Sequence, residues 1–184
     1  MFQVPRSRLV MPLLAILVAG CTGPYSASPK LGVYEGDRAP ELEGVDVSGK
    51  PLKLSDFRGK VVMLDFWGTW CPPCMDLVPH ERELVANHRN EPFVLLGVSV
   101  DHSISDIEKV EGNGKVTWRN WWFEGRDREE VLKTWQVGAF PTIILIDHNG
   151  VIRQRWRGSP GASKIDKEVN KLIQDAKQYA HSRS

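Results

Sequence analysis

Three cysteines in 184 residues are too few for a disulfide scaffold, and the odd count sets one apart from the other two. Neither sign of charge is in excess, with 24 Lys and Arg against 23 Asp and Glu. A nucleic-acid binder shows a basic surplus, so that class is set aside. The N-terminal apolar run, Leu9 to Gly20, holds only 12 residues. As a helix it reaches about 18 Å, short of a bilayer core of about 30 Å. From Leu31 onward there is no internal repeat, no charge block and no second linker. What is present is 41% hydrophobic and 26% charged, the balance of a chain that buries a proper core. Collagen-like, low-complexity and disordered chains are thereby excluded. The length suits one domain with an appendage.

Arg6 and Arg8 precede the short apolar run and Cys21 follows it at once, which is the layout of a secretory signal. Val18-Ala19-Gly20-Cys21 resembles the bacterial lipobox, in which the signal is cut before Cys and that Cys is lipidated. The resemblance implies a signal peptide over residues 1–20 and a lipid-anchored flexible linker over 21–30. The folded domain then covers 31–184. The plainer alternative is an ordinary signal peptide with a chance cysteine at its end. Two or more acyl chains on Cys21 anchor stably, whereas one is marginal. Export puts the domain in the bacterial cell envelope, facing the periplasm or the cell exterior, where disulfides persist.

In the body, Leu42 to Leu54 reads as a hairpin turning at Ser48-Gly49-Lys50. Val61 to Trp67 is an apolar run holding one acid, the pattern of a central strand buried on both sides. Pro72 to about Asn87 is expected to be a helix, and Phe93 to Val100 a second buried strand. Ser103 with Asp106 suggests a capping box before a helix carrying Ile104, Ile107 and Val110; Asp127 with Glu130 suggests another. Thr142–Asp147 and Val151–Trp156 are strands joined by His148-Asn149-Gly150. Ser159-Pro160 is expected to cap a last helix with Ile165, Val169, Leu172, Ile173 and Ala176 on one stripe. The order is hairpin, then β-α-β-α, then helix, hairpin and helix. That order predicts an α/β domain with a mixed sheet covered on both faces.

Cys71-Pro72-Pro73-Cys74 follows the first buried strand and opens the helix. A zinc site needs two further ligands, and neither a second cysteine pair nor the scattered histidines supply them. A structural disulfide here closes too small a loop to stabilise the fold much. Redox chemistry explains the placement better. Free N–H groups and the dipole at a helix N-terminus favour a thiolate, so Cys71, expected to be the more exposed, attacks a substrate disulfide. Cys74, one turn further in, stays a buried thiol until it resolves the mixed disulfide.

Asp65-Phe-Trp-Gly-Thr-Trp-Cys-Pro-Pro-Cys74, Pro79 and Phe140-Pro141-Thr142, in that order, resemble the thioredoxin superfamily. Ala39-Pro40, Gly49-Lys50 and Leu54 to Lys60 resemble its membrane-tethered TlpA/ResA-type branch. The resemblance covers residues 32 to 175. It implies a thioredoxin-like fold with an N-terminal β-hairpin extension, and a thiol–disulfide oxidoreductase working through Cys71 and Cys74. It also implies a cis Pro141 against the pair, with Trp70, Phe140 and Pro141 contacting an extended substrate. By analogy the direction is reduction of disulfides in exported proteins, with a membrane electron donor as partner. No cofactor beyond the redox disulfide, no metal and no nucleic acid is expected, and the oligomeric state is left open.

The match has departures. Asp65 is an acid inside an apolar strand; thioredoxins carry Asp at this position, while the tethered branch more often has Asn. Burial raises such a carboxyl's pKa, so it can take the Cys74 proton during resolution. The alternative is an acid bonded to a nearby backbone group. Thioredoxins place a Lys close by, and Phe93 to Val100 offers none. ResA-type members often carry Glu three residues after the second Cys, where this chain has Leu77 beside Asp76. That departure argues against a haem-maturation role that depends on the Glu. Trp118, Trp121, Trp122 and Phe123 alternate as core-packing strand residues do; the rival idea is an exposed platform for a partner. Two further functions compete. A peroxiredoxin-type thiol peroxidase needs a Pro-x-x-x-Thr-x-x-Cys setting that Phe66 to Cys71 lacks, and a Sco-like copper carrier needs a CxxxC pair.

Overall fold

A computed structural model of the chain describes residues 28–183. The signal segment and Cys21 lie outside the described residues. The hairpin forms as expected, with β1 (Glu43–Val45) antiparallel to β2 (Pro51–Lys53). Its turn is held by Asp46, whose Oδ1 accepts the Ser48 and Lys50 amides, and by Gly49 at φ +77°. That conformation is open to glycine at little steric cost.

The main sheet has five strands in the order β5-β4-β3-β6-β7. Here β3 is Val61–Trp67, β4 Phe93–Ser99, β5 Arg119–Trp122, β6 Thr142–Ile146 and β7 Ile152–Arg157. The pairs β3·β4 and β4·β5 are parallel, while β6 runs antiparallel to both β3 and β7. The sheet is therefore mixed, as the α/β reading requires.

Strand periodicity sorts the core into two layers. Val61, Met63 and Trp67 face α1 (Pro72–Asn87), α2 (Ile104–Gly112) and α4 (Ala162–His181). Val62, Leu64 and Phe66 face the hairpin and α3 (Gly125–Thr134). The five apolar residues of the α4 stripe are all buried in the first layer. Since β3 is central and covered on both sides, all seven of its residues are buried.

Three expectations need correction. The element order omitted β5, a short edge strand whose aromatic run reaches the sheet only by pairing with β4. The tryptophans here are packed inward: Trp118, just before β5, and Trp121 are buried, Trp122 is half-buried, and the Trp121 indole donates to the Leu52 carbonyl. No exposed aromatic platform forms there. Two helix starts also differ. α3 begins at Gly125, so Asp127 sits inside the first turn, and α4 is capped by Gly161 at φ +88° rather than by Ser159-Pro160. Ser159 instead accepts the Gly161 amide one residue before the helix. Ser103 does cap α2, bonding the Ser105 amide.

Candidate active site

The end of β3 and the start of α1 deliver Cys71 and Cys74 to one place. Their sulfurs are joined in a disulfide, with Cα atoms 5.3 Å apart. The preceding loop is pinned from β4's far end: Asp101 accepts the Thr69 amide and hydroxyl, and Ser99 donates to the same carboxylate. Both cysteines are buried, and Cys71 at 4% exposure is only slightly the more exposed of the pair, with Cys74 at 2%. In the oxidised form its sulfur is tied down onto the helix, which is why the two differ so little.

The electrostatics of that helix end also differ from expectation. Pro72 and Pro73 carry no N–H, and the amides of Cys74 and Met75 both donate to the Cys71 carbonyl. The Cys71 amide itself donates to Gly68. Free N–H groups are thus absent from the first turn, and what remains to favour a Cys71 thiolate is the helix dipole. α1 continues through Pro79 to Asn87.

Before β6, the Phe140–Pro141 peptide is cis and Pro141 is buried. The Phe140 ring meets Trp70 edge-on, with centroids 5.8 Å apart, and Trp70 is 56% exposed. Among the described residues no group bonds to the Phe140 backbone N–H or C=O. The pair of rings and the unpaired Phe140 backbone form a lip, with Trp70 next to Cys71 in the chain.

Residues 35–155 match the AhpC/TSA family. The ResA thiol–disulfide oxidoreductase of Geobacillus kaustophilus is 31% identical over 172 residues, covering 91% of this chain and 97% of the relative. The chain belongs to the AhpC/TSA family. Within it the ResA-type thiol–disulfide oxidoreductases are its relatives, and the Cys71–Cys74 disulfide is the redox centre of a thiol–disulfide oxidoreductase. The thioredoxin domain of a Bacteroides vulgatus thiol–disulfide oxidoreductase superposes with a TM-score of 0.67 at 30% identity, over 75% of this chain and 99% of that one. The pneumococcal exposed lipoprotein thioredoxin from Streptococcus pneumoniae superposes with a TM-score of 0.62 at 25% identity, over 72% of this chain and 100% of that one.

Asp65 is the buried acid of β3. It lies on the α1 side of β3 by alternation with Met63 and Trp67, in the layer that holds Cys74. It has no backbone partner, and its Oδ1 has no hydrogen-bond partner at all. Directly across β4 is Gly97, where a Cβ would come 1.8 Å from the Asn120 Oδ1 and 2.8 Å from the Trp67 Nε1. No cation fits there. The group that does reach Asp65 is Glu81 of α1, buried and hydrogen-bonded to it. Sequence reasoning passed over Glu81, although its spacing showed it: Cys74, Leu77, Val78, Glu81 and Leu84 form the buried stripe of α1. Burial pushes the Asp65 pKa up to about 8, offset in part by the Glu81 hydrogen bond, and pushes Glu81 well up as well. Leu77, at the ResA-type Glu position, is buried among apolar neighbours, while Asp76 points to solvent.

Among the described residues no group of three or more His, Cys, Asp or Glu side chains is placed to hold a metal ion. Nor is any helix there long and apolar enough to cross a membrane.

Proposed function

We propose that the protein is a lipid-anchored reductase of disulfides in exported proteins, drawing its electrons from a dithiol donor in the membrane. The observation that carries the reading is the Cys71–Cys74 disulfide set beside an aromatic lip and an unpaired backbone segment. In the forward reaction a Cys71 thiolate attacks a client disulfide, forming a mixed disulfide and expelling one client thiolate. Cys74 gives up its proton and attacks the Cys71 sulfur, which releases the second client thiolate and restores the protein disulfide. Two electrons pass to the client, and the released thiolates take protons from water. The membrane dithiol returns two electrons and two protons to the pair.

Anchoring through Cys21 is supported by Val18-Ala19-Gly20-Cys21 and by likeness to the pneumococcal exposed lipoprotein thioredoxin. The reading assigns the protein to the outer side of a bacterial membrane. It requires no cofactor other than the disulfide.

Trp70 is the side chain most free to meet a client. Trp70→Ala should lower stability by no more than about 1.5 kcal/mol, the edge contact with Phe140 being its main loss. It should raise KM for a protein disulfide roughly three- to tenfold, the loss of one aromatic contact of about 0.5–1.5 kcal/mol. KM for a small aromatic disulfide should stay put. Steady-state assays with both substrates check this; an unchanged KM for the protein disulfide removes Trp70 from the client surface.

A further inference from the structure

Six carboxyl side chains are buried among the described residues, and four of them are satisfied. Asp37 accepts the Tyr34 amide and pairs with Lys30; Asp46 accepts the Ser48 and Lys50 amides and pairs with Arg119. Asp101 holds Thr69 and Ser99, and Asp147 holds two amides and Arg153. Asp65 at 2% exposure and Glu81 at 1% have only each other, and each is left with one oxygen that has no partner.

Two carboxylates cannot bond to each other without a proton between them. The surroundings supply no cation to relieve the pair. On α1 the neighbouring His80 is engaged by Asp166 of α4. The buried stripe of α4 is wholly apolar, β4 offers Gly97 and β6 offers Ile143. Glu111 of α2 is bonded to Asn120, and it does not act on either carboxyl. Burial is the largest influence on each member, and the opposite carboxyl follows it. Of the two, Asp65 is the one that ionises first, because the Glu81 hydrogen bond favours its charged form, while the Asp65 charge disfavours that of Glu81.

We propose that Glu81 is a positioning residue for the thiol–disulfide reaction: its retained proton is donated to the Asp65 carboxylate and thereby sets the pH at which Asp65 accepts the proton of Cys74. Glu81 stands seven residues beyond Cys74 on the same buried stripe, and Asp65 faces that stripe from β3. In resolution the proton leaves the Cys74 thiol for the Asp65 carboxylate. The Cys74 sulfur then bonds to that of Cys71, and the bond from Cys71 to the client sulfur breaks. The client thiolate leaves with the electron pair, and Asp65 later returns its proton to water. Glu81 exchanges no proton during the cycle. It gives Asp65 a hydrogen-bond donor from α1 where β4 offers only Gly97.

The proposal rests on the thiol–disulfide reading, and two measurements separate their failures. Infrared titration of the wild-type full chain reads the protons without turnover. A protonated-carboxyl band should persist at pH 7, lose part of its intensity near pH 8 and keep the rest above it. Complete loss below pH 6 overturns the shared proton. The second measurement is the pH profile of mixed-disulfide resolution. Glu81→Leu removes the donor and should move the midpoint up by at least about one unit, a tenfold loss of rate at pH 7. Glu81→Gln keeps an N–H donor to Asp65 and should hold the midpoint within about 0.3 unit of wild type. Equal shifts in the two variants, or none in either, overturn the proposal. Should Glu81→Leu not fold, Glu81→Met provides the same comparison.

Discussion

Cys74→Ser should convert the protein into a trap, with turnover of a protein disulfide lowered on the order of 10³-fold or more. Cys71 keeps its place at the N-terminus of α1 and still attacks, so a covalent adduct with the client forms and persists. Resolution is lost because it depends on a sulfur held one helical turn away, with Cα atoms 5.3 Å apart in the disulfide. Well-oriented intramolecular attack corresponds to effective concentrations of about 10⁵ M or more, whereas external thiols at about 1 mM are the only substitute. Cys71→Ser should abolish both turnover and adduct. Non-reducing mass analysis after mixing each variant with an oxidised client reads the difference directly. An adduct with Cys71→Ser in place of Cys74→Ser reverses the assignment of attacking and resolving sulfurs.

Asp65→Asn is expected to make the folded state more stable at neutral and alkaline pH while slowing resolution. The sign follows from the direction of the shift. An unfolded Asp ionises at about pH 4, whereas burial lifts the folded Asp65 to about 8. Between those values the native state holds more protons than the unfolded state, so its stability falls as pH rises. The Asp65 contribution is intact below about pH 4 and is lost progressively toward pH 8. Asparagine does not titrate, so the stability difference between variant and wild type should grow across that window by up to about 1.4 kcal/mol per pH unit. Asp46 works in the opposite sense. Its burial pushes the pKa up, but the Lys50 amide and the Arg119 guanidinium outweigh burial and hold it below the usual range. Its contribution is lost as pH falls, and it is common to both proteins, so it cancels. Urea unfolding of both from pH 4 to 9 tests the account. A stability difference that is flat with pH would mean that Asp65 is not a buried titrating group.

Stability and activity are thus set against each other at one residue. A buried acid with no cation beside it destabilises the fold, and the proposed proton transfer from Cys74 is what it gives in exchange. At Gly97 the tight approach of Asn120 and Trp67 leaves no space for any side chain, so none can reach Asp65 from that position. The acid pair is the arrangement that this packing permits.

Much of this was legible in the sequence because it follows from periodicity. The all-apolar run Val61–Trp67 became the central strand, and the stripe from Ile165 to Ala176 became the buried face of α4. Pro72 at the start of α1 and Gly49 in the hairpin turn acted through their backbone restrictions, which do not depend on tertiary context. The departures arose where tertiary structure decides. β5 is four residues long and is made a strand by pairing with β4. The caps of α3 and α4 moved to Glu124 and Gly161 because loop geometry, and not side-chain bonding, sets those entries. In the site, Cys71, Cys74, Trp70, Phe140 and Pro141 were each identifiable and the fold brings them together. Asp65 was visible as an acid among apolar residues, but its partner lies on another element. Glu81 looked like one of many charged residues on an amphipathic helix until the stripe it interrupts was followed through α1.

The central claim is that the Cys71–Cys74 pair donates electrons, and its reduction potential tests that claim most directly. The full chain equilibrated with thiol–disulfide buffers at pH 7 should give a value near about −270 mV, as for thioredoxin, or lower. A value between about −180 and −120 mV belongs to isomerases and oxidants, and would contradict the proposed direction of electron flow.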